Sequence, residues 1–154
     1  MKYFKLIYLS VFFGIVSILA FFNITYSYYL NLYLNLNTYI YTLIVSIFLA
    51  IIFYYTKSND EKKITIYEKI LTILLGYFLL PLVISIPFYF SIYNLTFVNA
   101  FFESISGFTS TGFTIFDNIN HIDQSLILWR SASQWVGGLY FLFSIILLID
   151  IFDH

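Results

Sequence analysis

The chain has 154 residues, of which 61% are hydrophobic and only 10% charged, with a net charge of −1 and no cysteine. Soluble domains sit nearer half apolar and a quarter charged, so this balance points to a bilayer rather than to water as the solvent. The missing cysteine excludes disulfides, thiolate metal sites and thiol redox chemistry, and the near-neutral charge gives no footing for nucleic acid.

Charge position is more informative than charge number. All six lysines fall at Lys2, Lys5, Lys57, Lys62, Lys63 and Lys69, and no charged residue occurs over 6–56, 70–102 or 131–149. Apolar stretches of this length between charge clusters predict an all-α integral membrane protein. The first stretch is too long for one crossing. It divides in the polar, tyrosine-rich section 23–37, which predicts helices over about 5–22 and 38–55, with the tyrosines at the membrane interface. A cleaved signal peptide is the rival reading of the first helix, but only Ala20-Phe21-Phe22-Asn23 follows it, not a small-x-small site.

The run 57–69 reads as a solvated, charged loop. With Lys2 and Lys5 it places the amino terminus and this loop in the cytoplasm, because basic residues are retained there. A third helix is expected over about 70–92, kinked by Pro81 and Pro87, each of which frees a carbonyl that neighbours must satisfy. Phe97 to Phe108 is also helical in pattern, yet at 1.5 Å per residue it reaches only about 18 Å. A hydrocarbon core of about 30 Å is beyond it. Followed by Thr109-Ser110-Thr111-Gly112-Phe113, it predicts a half-helix leading into extended backbone, which survives at membrane depth only when buried in protein or lining water. A polar turn with Asp117, His121 and Asp123 precedes a fourth crossing over about 124–149. His121 has no second histidine beside it and reads as a solvated loop residue. Asp123 reads as the helix cap.

A helix, a half-helix, a hydroxyl-rich loop and a second helix form an arrangement suited to cations. Backbone carbonyls can replace an ion's water shell, and a glycine can hold the angles that aim them. Ser110, Thr111 and Gly112 are therefore the candidate ion ligands, chiefly through main-chain oxygens, with Thr109 and Phe113 flanking them. Phe113 is expected to pack behind the loop. Glu103, an ionisable residue in the half-helix, needs a partner: backbone amides of the 109–113 run or Arg130. Gly137 and Gly138, with Ser131, Ser133 and Gln134, are expected to allow close helix packing. No serine–histidine–acid set, phosphate loop or metal spacing is present, which argues against an enzyme.

The run from Phe101-Phe102-Glu103-Ser104 through Thr111-Gly112-Phe113-Thr114, with Leu128-Trp129-Arg130-Ser131 through Gly137-Gly138, resembles the first pore repeat of the Trk/Ktr/HKT superfamily of potassium transporters. The likeness is specific over roughly 100–148. It implies two leading transmembrane helices (1–56), a cytoplasmic charged loop (57–69) and one helix–pore half-helix–filter–helix repeat (70–154). It further implies uptake of potassium, or sodium in some members, across the cytoplasmic membrane, with both termini inside. No covalently bound cofactor is implied; membrane lipid, the remaining pore repeats or further transporter chains, and a cytosolic nucleotide-binding regulatory subunit are. Only one of four repeats lies within these residues, so a non-conducting interaction module and a homotetrameric channel stand as alternatives.

Overall fold

A computed structural model describes residues 7–55, 66–116 and 122–152, with side chains through Ile149. Among the described residues five α-helices follow one another: α1 (Ile7–Tyr29), α2 (Leu36–Tyr55), α3 (Ile66–Ser91), α4 (Phe97–Phe108) and α5 (Gln124–Phe152), with a short 3₁₀ turn at Tyr33–Asn35 before α2. Four of them, all but α4, are long and apolar enough to cross a membrane. The chain is a multi-pass helical membrane protein.

Two helix boundaries differ from the sequence expectation. The tyrosine-rich section is not a loop from Asn23 onward, because α1 continues to Tyr29. Its stop is Asn31, in the left-handed conformation at φ 58°, with Leu32 N donating to Ser27 O and Asn31 N to Tyr28 O. That bonding closes the helix, and asparagine tolerates the angle better than most residues. At the other boundary, α3 begins at Ile66, so Lys69 belongs to its first turns and is buried rather than solvated.

Helices α1 and α2 form a hairpin whose inner faces are small and polar. Thr38, Thr42, Ser46 and Ala50 recur every fourth residue on α2. Ser17 Oγ donates to Ser46 Oγ at 2.8 Å, and Ser10 Oγ to Ala50 O at 2.7 Å. In lipid, tails are as apolar as leucine, so close backbone approach and such hydrogen bonds hold helices together.

The hairpin is tied to α5 at one end. Tyr39, fully buried, donates to Ser125 Oγ at 2.9 Å, and Asn35 Nδ2 donates to Asp123 Oδ2 at 2.8 Å. The core fills between α1, α3 and α5 with Phe12, Phe13, Val16, Leu80, Ile84, Phe88, Trp129 and Tyr140. Tyr140 needs space that only a glycine leaves. A Cβ on Gly76 would stand 1.8 Å from its hydroxyl, which donates to Thr72 O at 2.9 Å. The prolines in α3 free the carbonyls of Tyr77 and Val83, four residues back. Two other carbonyls of this helix accept side-chain donors: Ser104 Oγ bonds Pro81 O at 2.8 Å and Trp129 Nε1 bonds Ile84 O at 3.0 Å.

Candidate functional site

Helix α4 packs on α3 and α5, and its sequence sorts cleanly by face. Ala100, Glu103, Ser104, Ser106, Gly107 and Phe108 are buried. Thr96 starts the helix, its hydroxyl accepting Asn99 N at 3.3 Å. Two small-residue contacts bring its C-terminal end close to α5. A Cβ on Gly107 would lie 2.6 Å from Ser133 Oγ, and one on Gly137 would lie 1.6 Å from the carbonyl oxygen of Phe108. Of the residues expected to allow this packing, Gly137 and Ser133 do so, whereas Ser131 is exposed. Gly138 does not, since nothing approaches within 4 Å of its Cβ position. It lines a cavity of about 460 Å³ with Tyr77, Phe108, Thr109, Ser110, Gly137 and Phe141.

The helix ends in a Schellman turn. Thr111 N donates to Ser106 O at 3.1 Å and Ser110 N to Gly107 O at 3.0 Å, with Ser110 at φ 56° where glycine is the usual residue. The first residues of the loop therefore complete a helix terminus, and backbone without regular structure follows from Thr111. Gly112 sits at φ 78° with open space around its Cβ position. Residues 109–113 are all exposed. Phe113 departs from expectation: it is 71% exposed among the described residues.

The hydroxyls here spend their protons inside the chain. Thr109 Oγ1 donates to Ile105 O at 2.8 Å, Ser106 Oγ to Phe113 O at 2.5 Å, and Thr111 Oγ1 lies 3.2 Å from Ser106 Oγ and 3.3 Å from Ser106 O. Among the described residues, no donor reaches the carbonyls of Thr109, Ser110, Thr111 or Gly112.

Behind the loop lies the ion pair. Glu103 is wholly buried and accepts Arg130 Nε at 2.5 Å, Thr114 Oγ1 at 3.1 Å and Ile115 N at 3.1 Å. Arg130 Nη2 also donates to Phe113 O at 3.1 Å. Of the two partners weighed for Glu103, Arg130 is present, whereas the amide it accepts from is that of Ile115, two residues past the 109–113 motif. A fully desolvated carboxylate is tolerable only with such bonding. Ser106 was missed as a separate contributor, because in sequence it reads as one more small residue of a helix. Asp117 and His121 lie outside the described residues, while Asp123 Oδ1 caps α5 by accepting Ser125 N at 2.9 Å. The described residues include no cluster of three or more histidine, cysteine or acidic side chains fit to hold a metal.

No protein-family profile matches the chain, and no solved structure gives a significant match. Curated proteins do. An uncharacterized cation transporter of Methanocaldococcus jannaschii is 30% identical over 126 residues, covering 81% of this chain and 26% of the relative. The Trk system potassium uptake protein TrkH of Escherichia coli K12 is 30% identical over 99 residues, 64% of this chain and 20% of the relative. TrkI of Halomonas elongata is 43% identical over 60 residues, 39% of this chain and 11% of the relative. The chain thus spans about a quarter or less of the length of these relatives, which are transport proteins rather than enzymes. With four apolar helices of spanning length, the chain is a helical membrane protein distantly homologous to Trk system potassium uptake proteins and to a cation transporter.

Proposed function

We propose that the chain contributes one ion-facing element to a potassium-conducting pore in the cytoplasmic membrane, with the main-chain oxygens of Ser110, Thr111 and Gly112 as its ligands. The observation that carries this reading is the run of exposed residues from Thr109 to Gly112 whose carbonyls no described donor satisfies. Such groups cannot face lipid, where each unmet one costs several kcal/mol; they require water, an ion or further protein. Gly112 at φ 78° holds an angle that side chains disfavour, as a ligand-aiming position demands. Helix α4, too short to span, enters and leaves on the outer side in this reading. The negative end of its dipole then faces the ion. Arg130 does not oppose a cation there, because Glu103 neutralises it.

One such element cannot surround an ion, so the remaining repeats come from further protein. The relatives named for potassium uptake support potassium as the substrate. In this scheme residues 1–56 hold the leading helix pair, the charged run ahead of α3 is the cytoplasmic loop, and α3 onward forms the repeat. Both termini are cytoplasmic, and a cytosolic nucleotide-binding subunit regulates the assembly.

The test grafts residues 7–148 into the Escherichia coli TrkH protein in place of the matching segment, in cells lacking their own potassium uptake. Gly112→Ser should weaken the preference for rubidium over sodium in competed uptake without loss of membrane insertion. The cause is backbone strain alone, roughly 1–2 kcal/mol for a Cβ at positive φ, since no neighbour crowds the position. Gly14→Ser, equally uncrowded but within α1, serves as the control. Unchanged selectivity in a well-expressed Gly112→Ser protein would remove the filter reading, and a non-conducting interaction module would replace it.

A further inference from the structure

Among the described residues, side-chain donors reach the carbonyl of Phe113 but not those of residues 109–112. Ser106 Oγ donates to it at 2.5 Å and Arg130 Nη2 at 3.1 Å. A carbonyl oxygen has two lone pairs, and two donors engage both. The arrangement is specific. Ser106 is 3% exposed and has one proton to give; its shortest contact is the Phe113 oxygen, so Thr111 must donate toward Ser106 rather than receive from it. Arg130 is held in place by its Nε bond to the buried Glu103, which leaves Nη2 directed at the same oxygen.

We infer that Ser106 and Arg130 withhold the Phe113 carbonyl from the ion path, so that the ladder of ion-facing oxygens in this chain ends at Gly112. The inference rests on the filter reading above. It makes Ser106 and Arg130 positioning residues: neither touches the ion, and both decide which oxygens can. It also gives the exposed Phe113 side chain a reason. With its carbonyl bonded on the protein side, the residue turns its ring outward, where a neighbouring segment of pore can cover it.

The sequence supplies a direct readout. Phenylalanine precedes threonine only at Phe108-Thr109 and Phe113-Thr114. Labelling the full chain in lipid nanodiscs with carbonyl-¹³C phenylalanine and ¹⁵N threonine therefore isolates two carbonyl signals, and Thr109→Ser removes the first and so assigns them. In Ser106→Ala, the Phe113 carbonyl resonance should move upfield as the hydrogen bond is lost, while that of Phe108 stays. Arg130→Gln should move the same signal, and replacing sodium by potassium in the buffer should not. A Phe113 signal that stays at its wild-type position in both variants would overturn the inference, as would one that follows potassium. This readout needs no assembled pore. A fixed Phe113 signal beside Gly112-dependent selectivity would remove the inference alone, whereas selectivity independent of Gly112 would remove both.

Discussion

Replacing Gly137 by alanine should separate α5 from the end of α4. The added Cβ would stand 1.6 Å from the carbonyl oxygen of Phe108, 2.5 Å from its carbon and 2.9 Å from its Cα. Opening this to an ordinary contact requires a shift on the order of 1.5 Å, against main chain that cannot swing aside as a side-chain tip would. Overpacking a tight core costs about 1–3 kcal/mol, and a backbone obstacle beside the fully buried Phe108 puts this case near 3 kcal/mol. For a chain of this size that corresponds to a midpoint lower by roughly 6–12 °C. Gly138→Ala provides the comparison, since it adds the same methyl to the same helix with nothing within 4 Å. Both variants gain the same helix propensity, up to about 1 kcal/mol, so their difference isolates the contact. Thermal and SDS-induced unfolding in detergent would measure it. If Gly137→Ala unfolds alongside Gly138→Ala, α5 does not rest on the Phe108 carbonyl and the described packing is wrong.

Removing Arg130 as Arg130→Gln strands a buried carboxylate and should cost about 3–5 kcal/mol; the double variant with Glu103→Gln should recover much of that loss, and equal losses from single and double would show the pair to be uncoupled. Ser110→Gly should stabilise the chain by roughly 1 kcal/mol, because glycine relieves the left-handed angle that serine endures; an unchanged unfolding midpoint would mean that the turn is not strained. For topology, a cysteine at Lys62 should resist membrane-impermeant reagents in intact cells while one at Asn120 reacts. The opposite pattern would invert the orientation.

Composition and charge spacing were enough to read the four spanning segments, because an apolar run between charge clusters has one physical solution in a bilayer. The bounds of α4 were legible too, from its shortness and the glycine and hydroxyl residues after it. The end of α1 was not. Asn23 and Ser27 look like loop residues in sequence but are buried in the fold, and the stop depends on Asn31 adopting a left-handed angle that composition does not announce. At the site, residue types forecast that Glu103 needed partners and that Gly112 was conformationally special. They could not separate Gly137 from Gly138, because which of two adjacent glycines meets Phe108 depends on the rotation of α5. The capture of the Phe113 carbonyl was equally hidden, being set by where a serine seven residues upstream and an arginine seventeen downstream converge.

The bonds from Tyr39 to Ser125 and from Asn35 to Asp123 also bear on how the protein is made. They join residues 86 and 88 positions apart, so the partners of the first helical hairpin emerge from the ribosome long after the hairpin itself. Until α5 arrives, a buried tyrosine hydroxyl and an asparagine amide remain without the groups that satisfy them in the finished fold. A nascent chain halted before Asp123 would therefore hold its leading helices in the membrane with polar groups open to capture. The two groups are therefore satisfied in this way only once α5 has packed against the hairpin.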